Sequence, residues 1–127
     1  MSGDLERIMR EYPQLDVDGY GIPSRQRLNV PPAGEAEFER TRLWIRGNFE
    51  KAGAINVKMS SLGLNVAMDE DTGTYSSHGI FIAAMLAEGF VFKSKNYPLL
   101  HGGSGYFNIT DESLRRVCAR TGIKPRG

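Results

Sequence analysis

The segment that decides the fold is Ser60–Gly89, SSLGLNVAMDEDTGTYSSHGIFIAAMLAEG, in which two apolar stretches flank a short polar turn. The serine pair at 60–61 can cap a first helix that ends near Gly73. The pair at 76–77 can cap a second helix that continues almost to the end of the segment. The turn Thr72–Tyr75 has a length suited to a helix-turn-helix unit. The sequence therefore predicts two short helices joined by a tight turn.

The region before this pair predicts a helix and a strand. In Glu35–Ala52, apolar residues recur at helical spacing and acidic residues precede basic ones, which suits the helix dipole. Gly53 is a natural stop for this helix. In Ala54–Met59, apolar and polar residues alternate, which is typical of a short strand.

The region after the pair predicts a hairpin and a last helix. Phe90–Lys95 and Gly105–Thr110 both alternate apolar and polar residues, and the loop between them is rich in glycine. Thr110 or Asp111 can cap the last helix. Across the chain, the apolar spacing predicts a buried core that includes Phe38, Ile45, Phe49, Leu64, Phe81, Ile82, Met85 and Phe107.

The N-terminal part differs in composition from the rest. Asp4–Tyr12 predicts a short helix that Pro13 ends, and Gln14–Gly34 is rich in proline and glycine, which indicates an extended arm. We therefore predict a division into residues 1–34, a short helix and an arm, and residues 35–127, a single globular domain.

The order helix, strand, helix, turn, helix, hairpin is that of a winged helix-turn-helix domain. We expect a mostly helical α+β fold of this type, with one antiparallel hairpin as the wing and an extended N-terminal arm. This is a match of topology, so it predicts the fold directly and nucleic-acid binding only by analogy.

Composition and charge exclude several classes of protein. Of 127 residues, 40% are apolar and 24% are charged, as in soluble globular domains, and the net charge is only +1. No apolar run approaches the length of a membrane span, and the acidic and basic residues near the start do not fit a secretory signal. The single cysteine, Cys118, excludes an intramolecular disulfide. We expect a cytoplasmic protein without membrane contact.

The charges are segregated along the chain, and this leads to the first functional hypothesis. Residues 60–89 contain no Lys or Arg, whereas residues 90–127 contain seven and only two acidic residues. We predict that nucleic acid, if bound, is held mainly through its phosphates. The candidate contacts are Lys93, Lys95, Arg115, Arg116, Ser77 and His78. The second helix of the pair is apolar nearly all round, so base readout by it is not expected.

The alternative hypothesis is a protein partner. An acidic and apolar helix-turn-helix surface, or the arm, would then form the interface. The candidate residues are Asp69, Glu70, Asp71 and Tyr75 on the helix pair, and Arg25 and Arg27 on the arm. The segregation of charge fits both hypotheses, and the sequence does not decide between them.

No pattern of residues predicts catalysis, a metal or a cofactor. His78 and His101 lack the spacing of metal ligands, and the glycine-rich loop around His101 lacks the ending of a phosphate-binding loop. Cys118 falls on an apolar helical stripe, where arginine neighbours could lower the pKa of its thiol, but no partner base is evident. We expect a protein that is not an enzyme.

Residues 61–110 resemble small, poorly characterised proteins of phages and mobile elements. The shared pattern consists of Ser61, Gly63, Leu64, Gly73, Tyr75, Gly79, Phe81-Ile82-Ala83-Ala84, Gly89-Phe90 and Phe107-Asn108-Ile109. The chain departs from it at Asn65-Val66, where those proteins usually carry Lys-His, and at His78, where they carry Asn. The resemblance implies an accessory protein acting in a bacterial host, either on nucleic acid or on a host protein such as a defence or replication factor. It implies no specific activity.

Overall fold

The computed structural model describes residues 3–12, 15–16, 19–20, 33–94 and 104–125. Over these residues the chain is an α+β protein, mostly helical, with a three-stranded antiparallel sheet and a separate two-stranded pairing. The helices are α1 Asp4–Glu11, α2 Ala33–Asn48, α3 Ser61–Thr72, α4 His78–Ala87 and α5 Asp111–Thr121. The strands are β1 Leu15–Asp16, β2 Gly19–Tyr20, β3 Lys51–Asn56, β4 Phe92–Ser94 and β5 Gly105–Ile109.

The predicted helix pair is confirmed as α3 and α4. The Ser60 side chain accepts a hydrogen bond from the Gly63 amide, and Ser77 accepts one from Ile80, each at 3.4 Å. These caps satisfy amides that have no partner inside the helix. Gly73 ends α3 with a φ of 71°, a left-handed conformation that glycine adopts without steric cost.

The predicted boundary between α2 and β3 is wrong by several residues. The expected helix Glu35–Ala52 ends instead at Asn48, and the expected strand Ala54–Met59 begins at Lys51. The Thr110 amide donates to the Glu50 carbonyl, and Lys51 pairs with Ile109. Backbone pairing with the end of β5 therefore makes Lys51 the start of a strand. Gly53 consequently lies within a strand. Partners 58 and 60 residues away decide this boundary, and local propensity does not report such distant contacts.

The sheet has the strand order β3-β5-β4, with all pairs antiparallel. The predicted hairpin is confirmed in β4 and β5, where Phe92 pairs with Phe107 and Lys93 with Tyr106. Gly105 is required here, because a Cβ atom at that position would overlap the Lys93 carbonyl and the Phe92 ring. Lys95 and His101 lie outside the described residues.

The core surrounds α4, which packs against α1, α2, α3 and the β1–β2 pair. Every residue from His78 to Met85 is buried. The predicted core is confirmed, since Phe38, Ile45, Phe49, Leu64, Phe81, Ile82, Met85 and Phe107 are all buried. Helix α1 contributes Leu5 and Ile8 to this same core. The predicted division after residue 34 is therefore not an edge of the core.

The predicted arm is described only in part. Within it, Leu15 pairs with Tyr20 and Asp16 with Gly19, and both strands pack against α4. The start of the segment thus folds back on the core, which the proline and glycine content did not indicate. Arg25 and Arg27 lie outside the described residues. Among the helices of the described part, none has the length and apolar content needed to cross a bilayer.

Candidate functional site

The turn between α3 and α4 is fixed by a polar network around Ser76. The Ser76 hydroxyl lies 2.7 Å from Asp69 Oδ1 and 2.8 Å from Asn65 Oδ1, and the Ser76 amide donates to Asp69 Oδ1 at 3.1 Å. Burial raises the pKa of Asp69, and the hydrogen bonds from Ser76 act in the opposite direction. Asp69 therefore holds the turn in place and is not simply a solvated charge.

Asp71 has a different set of partners, although it lies only two residues further on. Arg120 donates to its carboxylate from Nε and Nη2, both at 2.9 Å, and Trp44 Nε1 donates at 2.8 Å. These hydrogen bonds hold the pKa of Asp71 below its usual value. The carboxylate thus joins α3 to α2 and α5. Of the predicted acidic cluster, Glu70 is the member that faces solvent without a hydrogen bond to another described residue.

The solvent-facing side of α3 carries an apolar stripe. Leu62 and Val66, four residues apart, are 44% and 45% exposed, and Tyr75 in the following turn is 80% exposed. Isolated apolar side chains are normal on a surface, but a continuous set beside a groove marks a site of interaction. We call Leu62, Val66, Glu70 and Tyr75 the α3 face.

Two adjoining depressions follow this face and meet at Val66. The first is a groove of about 520 Å³ between α3 and the segment after α5, lined by Met59, Leu62, Gly63, Val66, Ile123 and Lys124 among others. The second, of about 440 Å³, is lined by Val66, Asp69, Glu70, Gly73, Thr74 and Tyr75. Three of the predicted partner-binding residues, Asp69, Glu70 and Tyr75, therefore lie together beside an apolar groove.

The predicted phosphate contacts do not form one cluster in the described part of the chain. Lys93 is exposed on β4, opposite Tyr106 near the start of β5. Arg116 lies beyond the other end of β5, with its guanidinium 3.3 Å from Glu112 and 3.8 Å from Glu50. Arg115 is exposed on α5. The carboxylates beside Arg116 reduce the positive potential that a phosphate would meet there.

Ser77 and His78 are placed unfavourably for contact with nucleic acid. The Ser77 amide donates to Glu37 Oε2 at 2.6 Å, so a carboxylate already occupies the start of α4. His78 is buried, and its Nε2 lies 2.8 Å from Ser61 Oγ. Both residues make contacts within the protein's own fold, and their role as nucleic-acid contacts stays a prediction.

The pair of Ser61 and His78 is a feature that the sequence analysis missed. Ser61 is completely buried, and its Oγ also accepts a hydrogen bond from the Gly105 amide at 3.0 Å. A serine beside a histidine is also the geometry of an activated nucleophile, but this hydroxyl is enclosed and already bonded. The pair ties β5 to both helices. The two residues are 17 apart on different helices, so no spacing in the sequence signals their contact.

The remaining reactive side chains give no catalytic arrangement in the described residues. No group of three or more His, Cys, Asp or Glu side chains there is placed to hold a metal ion. Burial raises the pKa of the Cys118 thiol, which is the reverse of the lowering expected from its arginine neighbours. Desolvation disfavours the charged thiolate, and a raised pKa reduces thiolate reactivity.

Comparison with protein-family models, with curated proteins and with solved structures finds no match to this chain. On the described residues, the α3 face combines exposed apolar side chains with the groove of about 520 Å³.

Proposed function

We propose that this protein is an interaction module that binds a protein partner through the α3 face. The observation that carries the proposal is the exposed stripe of Leu62, Val66 and Tyr75 beside an apolar groove of about 520 Å³. Burying these side chains against a partner would remove apolar surface from water, at roughly 25 cal/mol per Å². A helix of a monomeric protein has no need of such a stripe for its own stability.

The charge on this side of the molecule also favours a protein over a nucleic acid. Residues 60–89 contain no Lys or Arg, and Glu70 lies directly beside the apolar side chains. A phosphate backbone would be repelled here. If the protein acts as a phage or mobile-element accessory protein, as the pattern of residues 61–110 implies, the protein partner would be a host protein.

A second candidate function, phosphate-dominated binding of nucleic acid, is favoured by the topology. The order α2, β3, α3, α4, β4, β5 and the sheet order β3-β5-β4 are compatible with a winged helix, in which the β4–β5 hairpin would be the wing. Lys93 would lie on that wing, with Lys95 beyond it, and Arg115 and Arg116 on α5 would add contacts. The burial of α4 supports binding without base readout, because its side chains point into the core.

Two binding assays on the same protein separate the candidates. A library of displayed peptides is selected against the parent and against the double variant Leu62→Ser/Val66→Ser. Random duplex DNA is titrated by fluorescence anisotropy at about 50 mM and about 200 mM salt. We expect peptides that bind the parent and not the double variant, and no binding of the duplex.

Duplex binding that weakens steeply with salt and with Lys93→Ala, together with no peptide that depends on Leu62 and Val66, would overturn the proposal in favour of the second candidate. The matched control is Leu43→Ser, which removes an exposed apolar side chain on α2, 64% exposed, without touching the α3 face.

A further inference from the structure

The groove beside α3 has opposite charges at its two ends. Lys124 lines it together with Leu62 and Ile123, whereas Asp69 and Glu70 line the adjoining depression together with Val66. Leu62 in the groove and Glu70 in the depression are eight residues apart, which is about 12 Å along the helix axis. The surface between them is apolar. A partner that fits it must therefore carry apolar side chains in its middle and a positive charge at one end.

The shape of the groove favours a helix as the partner. Leu62 and Val66 form a ridge of residues four apart, which is the ridge that interdigitates with the grooves of a second helix. Between them Gly63 offers no side chain, and a Cβ there would come within 3.0 Å of Met59 Cγ. Met59 is almost completely buried, so glycine at position 63 makes room for the Met59 side chain beneath the groove.

The acidic end carries three features that attract a cation. Glu70 is exposed, Asp69 lines the same depression, and α3 ends there, so the negative end of its helix dipole adds to both carboxylates. Arg40 offsets part of the charge on Asp69. Tyr75, which is 80% exposed, presents an aromatic ring against which a guanidinium can stack. These features favour arginine at this end of the partner.

We infer that the α3 face binds an amphipathic helix whose apolar residues are spaced at three and four and whose basic end, preferably arginine, lies against Glu70 and Tyr75. This inference rests on the proposed function, because it specifies the partner of the same surface. A helix of this polarity places its basic end at the depression that Glu70 lines and the rest of its length along the groove that Lys124 lines. The charges therefore fix one orientation along α3.

The test uses the peptides selected on the parent and rejected by Leu62→Ser/Val66→Ser. We expect them to share apolar residues at helical spacing, with Arg or Lys within one turn of the last one. Affinity for these peptides should fall about fivefold in Glu70→Lys, as expected for reversal of one exposed charge. Glu112→Lys, the same charge change on α5, serves as the control and should leave affinity unchanged.

The outcomes distinguish this inference from the function on which it rests. Peptides that depend on Leu62 and Val66 but lack a basic end, or bind Glu70→Lys as tightly as the parent, would overturn the inference and leave the proposed function standing. If no selected peptide depends on Leu62 and Val66, the proposed function fails as well. Sedimentation of the protein alone tests whether a second copy of the chain binds the α3 face. Self-association that Leu62→Ser/Val66→Ser abolishes would assign the face to that second copy and overturn the inference.

Discussion

Helices α3 and α4 are consecutive in the chain and both rich in apolar residues, but they differ in how much of their surface is covered. Helix α4 is enclosed by α1, α2, α3 and the β1–β2 pair, whereas α3 packs on α4, α5 and β5 and leaves Leu62 and Val66 half exposed. The difference lies both in composition, since α4 contains no Asp, Glu, Lys or Arg whereas α3 carries Asp69-Glu70-Asp71 in its last turn, and in the number of neighbouring elements. It teaches that the apolar residues of α4 stabilise the fold, and that those facing outward on α3 are free for a partner.

Replacing Phe81 in α4 tests this comparison with the largest expected effect. Phe81 is completely buried, so Phe81→Ala should lower the free energy of unfolding by about 3–5 kcal/mol, through lost transfer energy and a residual cavity. Urea denaturation measures the change. The matched change on α3, Val66→Ala, should shift stability by less than about 0.5 kcal/mol. Equal effects at the two positions would contradict the assignment of Val66 to an outward-facing surface.

Removing the Ser61 hydroxyl tests the contact that joins the two helices to β5. Ser61→Ala leaves the Gly105 amide and His78 Nε2 without this partner in a buried site, so we expect a loss of about 1–3 kcal/mol. Thr74→Ala, in the exposed turn, is the control. Amide exchange adds a local readout, since the Gly105 amide should exchange faster in Ser61→Ala. An unchanged exchange rate would show that this hydrogen bond does not hold β5.

Glu88, at the end of α4, should make stability depend on pH. Hydrogen bonds from Arg46 and Arg42 lower the pKa of Glu88 below its ordinary value of 4.5, against the opposing effect of burial. A lowered pKa in the folded state stabilises the protein above that ordinary value, and the benefit is lost as pH falls through the folded pKa. Glu88→Gln should therefore lower stability near neutral pH, by about 1–3 kcal/mol.

The measurement is the midpoint of thermal unfolding for the parent and Glu88→Gln between pH 7 and pH 3. The two midpoints should differ at neutral pH and approach each other in acid. Glu70→Gln, on the exposed side of α3, should follow the parent at every pH. A constant gap between Glu88→Gln and the parent across the whole range would mean that the effect of the substitution is not electrostatic.

The smallest effect on stability is expected on the α3 face itself. Leu62→Ser/Val66→Ser should change the free energy of unfolding by less than about 1 kcal/mol in total, since both side chains are half exposed. The same variant should lose the binding of selected peptides. A large loss of stability would show that these side chains belong to the core and would remove the contrast with α4.

The sequence alone predicted most of the elements and much of the core. The serines before α3 and α4, the threonine before α5 and the glycine after α3 act on neighbouring amides and carbonyls, so their effect is local and can be read from the order of residues. The apolar spacing placed Phe38, Ile45 and Phe49 on one buried side. The hairpin of β4 and β5 followed from alternation and a glycine-rich loop.

Other features were decided only when distant segments met. The start of β3 depends on Thr110 and Ile109, which lie more than 50 residues beyond it. The three consecutive carboxylates at 69–71 looked alike in the sequence, but Asp69 holds the turn through Ser76 and Asp71 holds Arg120 and Trp44, which leaves Glu70 on the surface. Successive helical residues point about 100° apart, so each meets a different neighbour.

The candidate site likewise combines features that the local sequence sets with features that only tertiary packing sets. The serine caps and the apolar content predicted α3 and α4, because both can be read within a few residues of the sequence. The sequence could not determine which apolar residues of α3 face outward, since that depends on the elements packed around the helix. Tertiary packing buried His78, enclosed α4 and left Leu62, Val66 and Tyr75 in contact with water. The physical reason is that burial results from the arrangement of all segments together, whereas capping and periodicity are set within a few residues.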